Sequence, residues 1–240
     1  MHSTVVVLTC PRSKAYLWDT LASLNRAGAC EAFAPQHRWV LSDGDAIDGQ
    51  RVLDADWQLH RLGGDPRGNL RAFLAVFAFA LRDVTCDHLL FFEDDVVACK
   101  GAIARMLQTG VPHDCAFTSF FDMKECPYGM PPQLHKVSTM GADGRGYWGS
   151  QAILWPRRTM EYLVARGPAM LEGGSAHSSD CLFGSHLLFS ATPHYALHVP
   201  NLVEHVGDVS AIWTWMPKVN RKATSFLGED FDASLLPVWG

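Results

Sequence analysis

Hydrophobic and polar positions along the first half of the chain switch repeatedly between a strand pattern and a helix pattern. Residues 5–9 (Val-Val-Val-Leu-Thr) form a mostly β-branched run closed by Cys10-Pro11, as expected of a central strand. Residues 15–26 then carry Leu17, Leu21 and Leu24 at helical spacing and stop at Gly28, so a helix is expected. Residues 38–41 predict a second short strand, running into the turn-rich Ser42-Asp43-Gly44-Asp45. Residues 69–82 are apolar on nearly every side, which predicts a buried helix. A strand over 88–92 then delivers Glu93-Asp94-Asp95, and a helix should start near Lys100-Gly101.

The second half continues with a strand over 115–120. Residues 123–147 are rich in glycine and proline, which predicts a long irregular loop, and loops of that length in compact domains usually serve function. A strand over 151–155, a helix over 158–166, a loop over 172–179, a helix over 180–188 and a strand over 196–199 should follow, then an irregular tail. Alternating strands and helices imply an α/β layer fold. No repeat or low-complexity linker divides the chain, so 1–240 is expected to be one domain.

Composition is that of an ordinary globular protein, with 48% hydrophobic and 19% charged residues. A net charge of −5 gives no general attraction to nucleic acid or anionic membrane, although basic clusters could handle phosphates locally. The N-terminus lacks the pattern of a signal peptide, and residues 72–81, the longest apolar run, are too few to span a bilayer. Seven dispersed cysteines without a Cys-x-x-Cys pair fit reduced thiols, so a cytoplasmic location is expected.

The acidic triplet changes this picture. Two carboxylates on one side of a hydrophobic strand end repel each other unless a cation sits between them, and alternation would put Glu93 and Asp95 on that side. Hard oxygen ligands select Mg2+ or Mn2+. The plainer alternative is a solvated acidic turn capping the next helix. Leu-Leu-Phe-Phe-Glu93-Asp94-Asp95-Val resembles the Asp-x-Asp-like motif of glycosyltransferases of the GT-A fold, in a Glu-Asp-Asp form. Gly68-Asn69-Leu70-Arg71-Ala72 and the opening Val-Val-Val-Leu-Thr9-Cys-Pro11-Arg12 also resemble segments of those enzymes.

That resemblance implies a GT-A-like, Rossmann-like α/β fold: a mixed central sheet flanked by helices, with long acceptor-side loops. Residues 1–100 would form the nucleotide-sugar half, and 101–240 the acceptor half and C-terminal tail. It implies Mn2+ or Mg2+ held by Glu93, Asp95 and His205. It further implies donor contacts from Thr9, Pro11, Arg12, Asp43, Asn69, Arg71, Asp94, Trp148, Gly149 and Lys218.

Each second-half candidate has a structural alternative. Gly146-Tyr147-Trp148-Gly149-Ser150-Gln151 offers aromatic faces for sugar and glycines for close approach, or else a hairpin with Trp148 in the core. In related enzymes an Asp at a helix start removes the acceptor proton; Asp180 fits that role and equally an N-cap. His205, in His-Val-Gly207, resembles an element that returns to the metal site, although a lone histidine is commonly structural. His194 and His198 have helical metal spacing, but Pro193 and the run Ala-Leu-His-Val argue for a strand. Arg157-Arg158 should open a helix facing solvent, and Lys218, Arg221 and Lys222 are either a diphosphate-binding tail or a solvated basic run.

The expected activity is sugar transfer from a nucleoside-diphosphate sugar, UDP-sugar favoured, to an acceptor hydroxyl, with inversion if Asp180 is the base. The acceptor is open between a surface glycan, a small molecule and a hydroxymethylated base in phage DNA. A nucleotidyltransferase of similar fold is the first rival; it would normally carry a glycine-rich phosphate loop after the first strand, and residues 10–14 hold no glycine. A non-catalytic carbohydrate-binding protein is the second.

Overall fold

The computed structural model describes residues 2–11, 14–44, 47–63, 68–123, 130–138, 147, 149–172, 192, 194–208 and 221–239. Strand β1 (Ser3–Thr9) is followed by α1 (Leu17–Arg26), α2 (Ala29–Ala32), β2 (Arg38–Ser42), α3 (Gly49–Asp54) and β3 (Gln58–Arg61). Helix α4 (Asn69–Phe79) leads through a π turn (Ala80–Val84) to β4 (His88–Glu93), β5 (Val96–Ala98) and α5 (Ala102–Thr109). Then come β6 (Thr118–Ser119), β7 (Gln133–Ser138), β8 (Ala152–Pro156), α6 (Arg157–Glu172), β9 (His194–Val199) and β10 (Val203–His205).

Eight strands make one mixed sheet in the order β3-β2-β1-β4-β8-β6-β9-β7, and β5 pairs with β10 in a separate ribbon. The first four neighbours run parallel, β8 runs antiparallel to both β4 and β6, and β7 is antiparallel to β9. Strand alternation sorts the core into two layers. Val6, Leu8, Leu89 and Phe91 face α4 and α6, whereas Val5, Val7, Leu90 and Phe92 face α1 and α5. The expected α/β sheet flanked by helices is present.

Several elements differ from expectation, each for a physical reason. Residues 133–138 of the expected loop form β7: their polar sequence shows no apolar alternation, and a six-residue ladder to β9 supplies the pairing. β3 was likewise hidden, because Gln58-Leu59-His60-Arg61 is a half-exposed edge. α6 runs on through Gly167 and Pro168, ordinary stop signals. A Cβ on Gly167 would lie 2.5 Å from Leu74 Cδ1, so the glycine lets α6 press against α4, and that packing holds the helix. Of the strand expected over 115–120, only Thr118–Ser119 is regular, while ladder bonds continue at Ala116 and Phe120. The helix expected over 180–188 lies outside the described residues.

The tail is irregular but tied down. Arg105 of α5 donates to the carbonyls of Ala233, Ser234 and Leu236, and Glu229 meets Ser23 and Arg26 of α1. Burial pushes the thiols of Cys86, Cys99 and Cys115 up to about 11, consistent with inert packing residues. Among the described residues no helix is long and apolar enough to cross a membrane.

Candidate active site

The carboxyl ends of β1, β2, β3 and β4 open on one edge of the sheet, where ligands of parallel α/β sheets bind. Backbone bonds knit that edge: Asp43 N–H donates to Thr9 O at 2.8 Å, and Leu62 N–H to Ser42 O at 2.9 Å. The N-terminus of α4 follows β3, so Asn69 and the exposed Arg71 belong to the same edge.

The acidic triplet sits at its centre. β4 ends at Glu93, so strand alternation no longer governs Asp94 and Asp95, and the three carboxylates take three sets of partners. Glu93 accepts from Ser150 Oγ at 2.5 Å and from Gln151 Nε2 at 3.4 Å. Asp94, buried, accepts from Thr9 Oγ1 at 2.5 Å. Asp95, buried, has its Oδ2 3.1 Å from His205 Nε2.

Asp95 and His205 are 110 residues apart, and the β5–β10 ribbon joins them. Antiparallel register places His205 opposite Val96, and Val206 N–H donates to Asp95 O at 2.8 Å. Gly207 completes the contact. A Cβ there would lie 2.4 Å from Asp95 Oδ2 and 3.0 Å from His205 Cε1, so a side chain would wedge the pair apart.

Thr20 of α1, which in the sequence only helps the stretch Tyr16-Leu17-x-x-Thr20-Leu21 resemble the first βα unit of GT-A enzymes, holds the turn from behind. Its hydroxyl lies 2.8 Å from Asp94 O and 2.9 Å from Val96 O, and it accepts Val96 N–H at 3.1 Å. An isolated threonine on an amphipathic helix gives no sequence signal of such a role.

The donor set suits a hard cation. Asp95 and His205 are hydrogen-bonded to each other at 3.1 Å, and a cation would have to replace that proton between them. Carboxylate oxygen and imidazole nitrogen are ligands that Mn2+ accepts. Among the described residues, however, no group of three or more His, Cys, Asp or Glu side chains gathers in metal-holding fashion. Asp95 and His205 therefore offer two ligands, while Glu93 is engaged by Ser150 and Gln151.

Other expected residues divide three ways. Gly149 takes φ +116°, and a Cβ there would lie 2.8 Å from Phe121 Cδ1, so this turn beside Glu93 demands glycine. Tyr147 faces the core against Phe117 and Tyr195, which removes one of the two aromatic rings offered to sugar. Thr9 spends its hydroxyl on Asp94, Pro11 lies just beyond β1, and Asp43 is buried at the end of β2. Arg12, Trp148, Asp180 and Lys218 lie outside the described residues.

His194 and His198 fall on β9, where four residues span about 13 Å, too far to share an ion. Arg157 and Arg158 have structural work: Arg157 pairs with Glu161, and Arg158 donates to the carbonyls of Pro112, His113 and Cys115.

Within the basic tail Arg221 stands out. It is buried, its Nη2 donates to Gly207 O at 3.4 Å, and its Nε has no hydrogen-bond partner. Gly207 touches Asp95, so this guanidinium is held close behind the pair. Lys222 donates to His205 O at 3.0 Å and stands 3.9 Å from Glu204.

No protein-family model matches the chain, and no curated protein is recognisably related in sequence. Solved structures are similar in fold. The apo form of the glycosyltransferase GlyE of Streptococcus pneumoniae TIGR4 is 12% identical, with TM-score 0.50 over 82% of this chain and 44% of that one. GalNAc-T7, solved with UDP, GalNAc and Mn2+, is 9% identical with TM-score 0.55 over 86% and 44%. The CTP:phosphocholine cytidylyltransferase LicC of Streptococcus pneumoniae is 10% identical with TM-score 0.53 over 86% and 94%. The present chain spans less than half the length of the first two. At these identities the likeness is one of fold alone: a mixed α/β sheet that GT-A glycosyltransferases share with nucleotidyltransferases.

Proposed function

We propose that the chain is a metal-dependent glycosyltransferase that takes a sugar from a nucleoside-diphosphate donor. The observation that carries this reading is the Asp95–His205 pair at the carboxyl end of β4, buried, 3.1 Å apart and closed by a glycine. A buried carboxylate and imidazole brought together at a strand end are ligand types that Mn2+ accepts, and they would form the core of a cation site. When bound, Mn2+ or Mg2+ would neutralise the charge that grows on the departing diphosphate.

The chain's own residues would do the rest. Asp94, locked by Thr9, faces the donor as a fixed acceptor for ribose or sugar hydroxyls, and Asp43 serves the base or ribose. Pro11, Arg12, Asn69 and Arg71 are the proposed contacts to the donor nucleotide, and Trp148 and Gly149 the proposed contacts to its sugar. Glu93 would help hold the cation, directly or through water. We assign to Arg221 the phosphate-facing role expected of Lys218, because its guanidinium is buried and its Nε makes no hydrogen bond among the described residues, so an anion would satisfy it. Asp180 is the proposed base for the acceptor hydroxyl, which gives inversion.

The likeness to LicC favours a second reading, nucleotidyl transfer, since this chain covers 94% of that protein. Cradling a triphosphate calls for successive backbone N–H donors after β1, and Pro11 has none while residues 10–14 lack glycine. Thermal unfolding with UDP-, GDP- and dTDP-sugars and with CTP and UTP, each with and without Mn2+, separates the two. The proposal expects Mn2+-dependent stabilisation by one sugar nucleotide. Stabilisation by a nucleoside triphosphate alone would move the assignment to the cytidylyltransferase-like activity.

A further inference from the structure

The face of the sheet near its β7 edge carries a cavity of about 520 Å3 that no part of the donor site uses. That volume lies within the usual range of small-molecule pockets, roughly 300–1,000 Å3. Its floor is Leu134 and Ala196; Lys136 and Ala196 are cross-strand partners, as are Leu134 and His198. One wall is the loop bearing Asp114 and Cys115, and the other is the tail at Trp239.

Both walls are fixed by side chains behind them. Arg158 donates to three carbonyls of the 112–115 loop. Arg105 clamps the tail just before Trp239, whose indole ring lies 4.9 Å from the His198 ring. The His198 imidazole is itself anchored at 2.7 Å to Pro200 O. Trp239 is therefore a backed, half-buried aromatic wall, and Lys136 and Asp114 form an ion pair at the mouth.

The lining restricts the ligand. An apolar molecule would strip water from Lys136 and Asp114 without replacing their hydrogen bonds, and a charged one would gain from one member and lose on the other. A neutral polyol with an apolar ring face meets every demand. Its hydroxyls accept from the ammonium and donate to the carboxylate, while its C–H face lies on the indole and Leu134.

We propose that this cavity is a carbohydrate subsite that holds a neutral sugar unit of a glycan away from the donor site. It rests on the transferase reading only for its purpose, since β9 runs from Ala196 at the cavity floor toward the segment that enters β10 and His205. A glycan anchored here would be kept near the reacting end.

The test is an NMR titration of the full chain, following the Trp239 indole N–H, assigned with Trp239→Phe. Probes are methyl glycosides of glucose, galactose, mannose and N-acetylglucosamine, together with lactose, cellobiose and chitobiose. At least one probe should shift that resonance saturably, and Trp239→Ala should weaken its binding about ten-fold, the factor that a lost aromatic stack is worth. Lys136→Ala, at an exposed edge position, should weaken it too and covers the case in which Trp239→Ala does not fold. If no probe moves the resonance, or if Lys136→Ala binds like wild type, the subsite is wrong. Metal-linked stabilisation by sugar nucleotides is measured on the same wild-type sample. Its absence counts against the transferase reading and leaves the subsite standing.

Discussion

At the scale of single residues the candidate site depends on groups whose freedom has been removed. Asp94 is held by Thr9, Asp95 by His205 and Glu93 by Ser150 and Gln151, so none of the three carboxylates must be reoriented before a ligand arrives. Such preorganisation keeps the cost of binding low. Gly207 is its most exacting test, because the residue contributes only the lack of a side chain. Gly207→Ala should force Asp95 and His205 apart by several tenths of an ångström and destabilise the fold by about 1–3 kcal/mol, the range for overpacking. Thermal unfolding would show the lower stability, and titration with Mn2+ would show binding weakened at least about ten-fold. A variant that binds the cation like wild type would mean that the pair is not the metal site.

At the scale of elements, the site exists because helix α1 and the β5–β10 ribbon bring distant segments to the end of β4. Thr20 is the joint between α1 and the acidic turn, serving two carbonyls and one N–H. Thr20→Val keeps the shape and removes that bonding. It should cost about 1–3 kcal/mol in chemical denaturation, the penalty for buried groups left unmade. An unchanged midpoint would show that the turn holds itself. This level also marks how far the sequence was legible. β1, α1, β2 and β4 announce themselves, because residues buried on both faces or along one helix stripe carry strong periodicity. β3 and β7 are edge strands whose partners, not their own side chains, fix them. Among the candidate site residues, Glu93-Asp94-Asp95 and His205 were visible as chemistry. Thr20, Ser150 and Gln151 fall in stretches that the sequence singled out, but their bonds to the acidic turn were not visible, since lone polar residues acquire such partners only through folding. The buried setting of Arg221 was equally hidden, because a basic cluster looks the same solvated or enclosed.

At the scale of the whole molecule, one sheet supports two separate regions: the proposed donor edge at the ends of β1 to β4, and the cavity against β7 and β9. His198 lies beside the second and ties it to the stability of the fold. Burial, helped by the Arg105 charge, pushes its pKa down from 6.5 to about 4, so the folded chain holds it neutral while the unfolded chain protonates it near pH 6.5. Its contribution is full above pH 6.5 and declines as pH falls toward 4, by roughly 3 kcal/mol in all. His198→Asn, which keeps a donor for Pro200 O, should lose less stability than wild type across that window in denaturant titrations; equal losses would show that other groups dominate. Whether a cation binds at Asp95 is decided by unfolding wild type and Asp95→Ala with a panel of sugar nucleotides in the presence and absence of Mn2+. One donor should stabilise wild type only when Mn2+ is present, and Asp95→Ala should lose this metal dependence. Stabilisation that is indifferent to Mn2+, or that survives unchanged in Asp95→Ala, would contradict a cation site at Asp95.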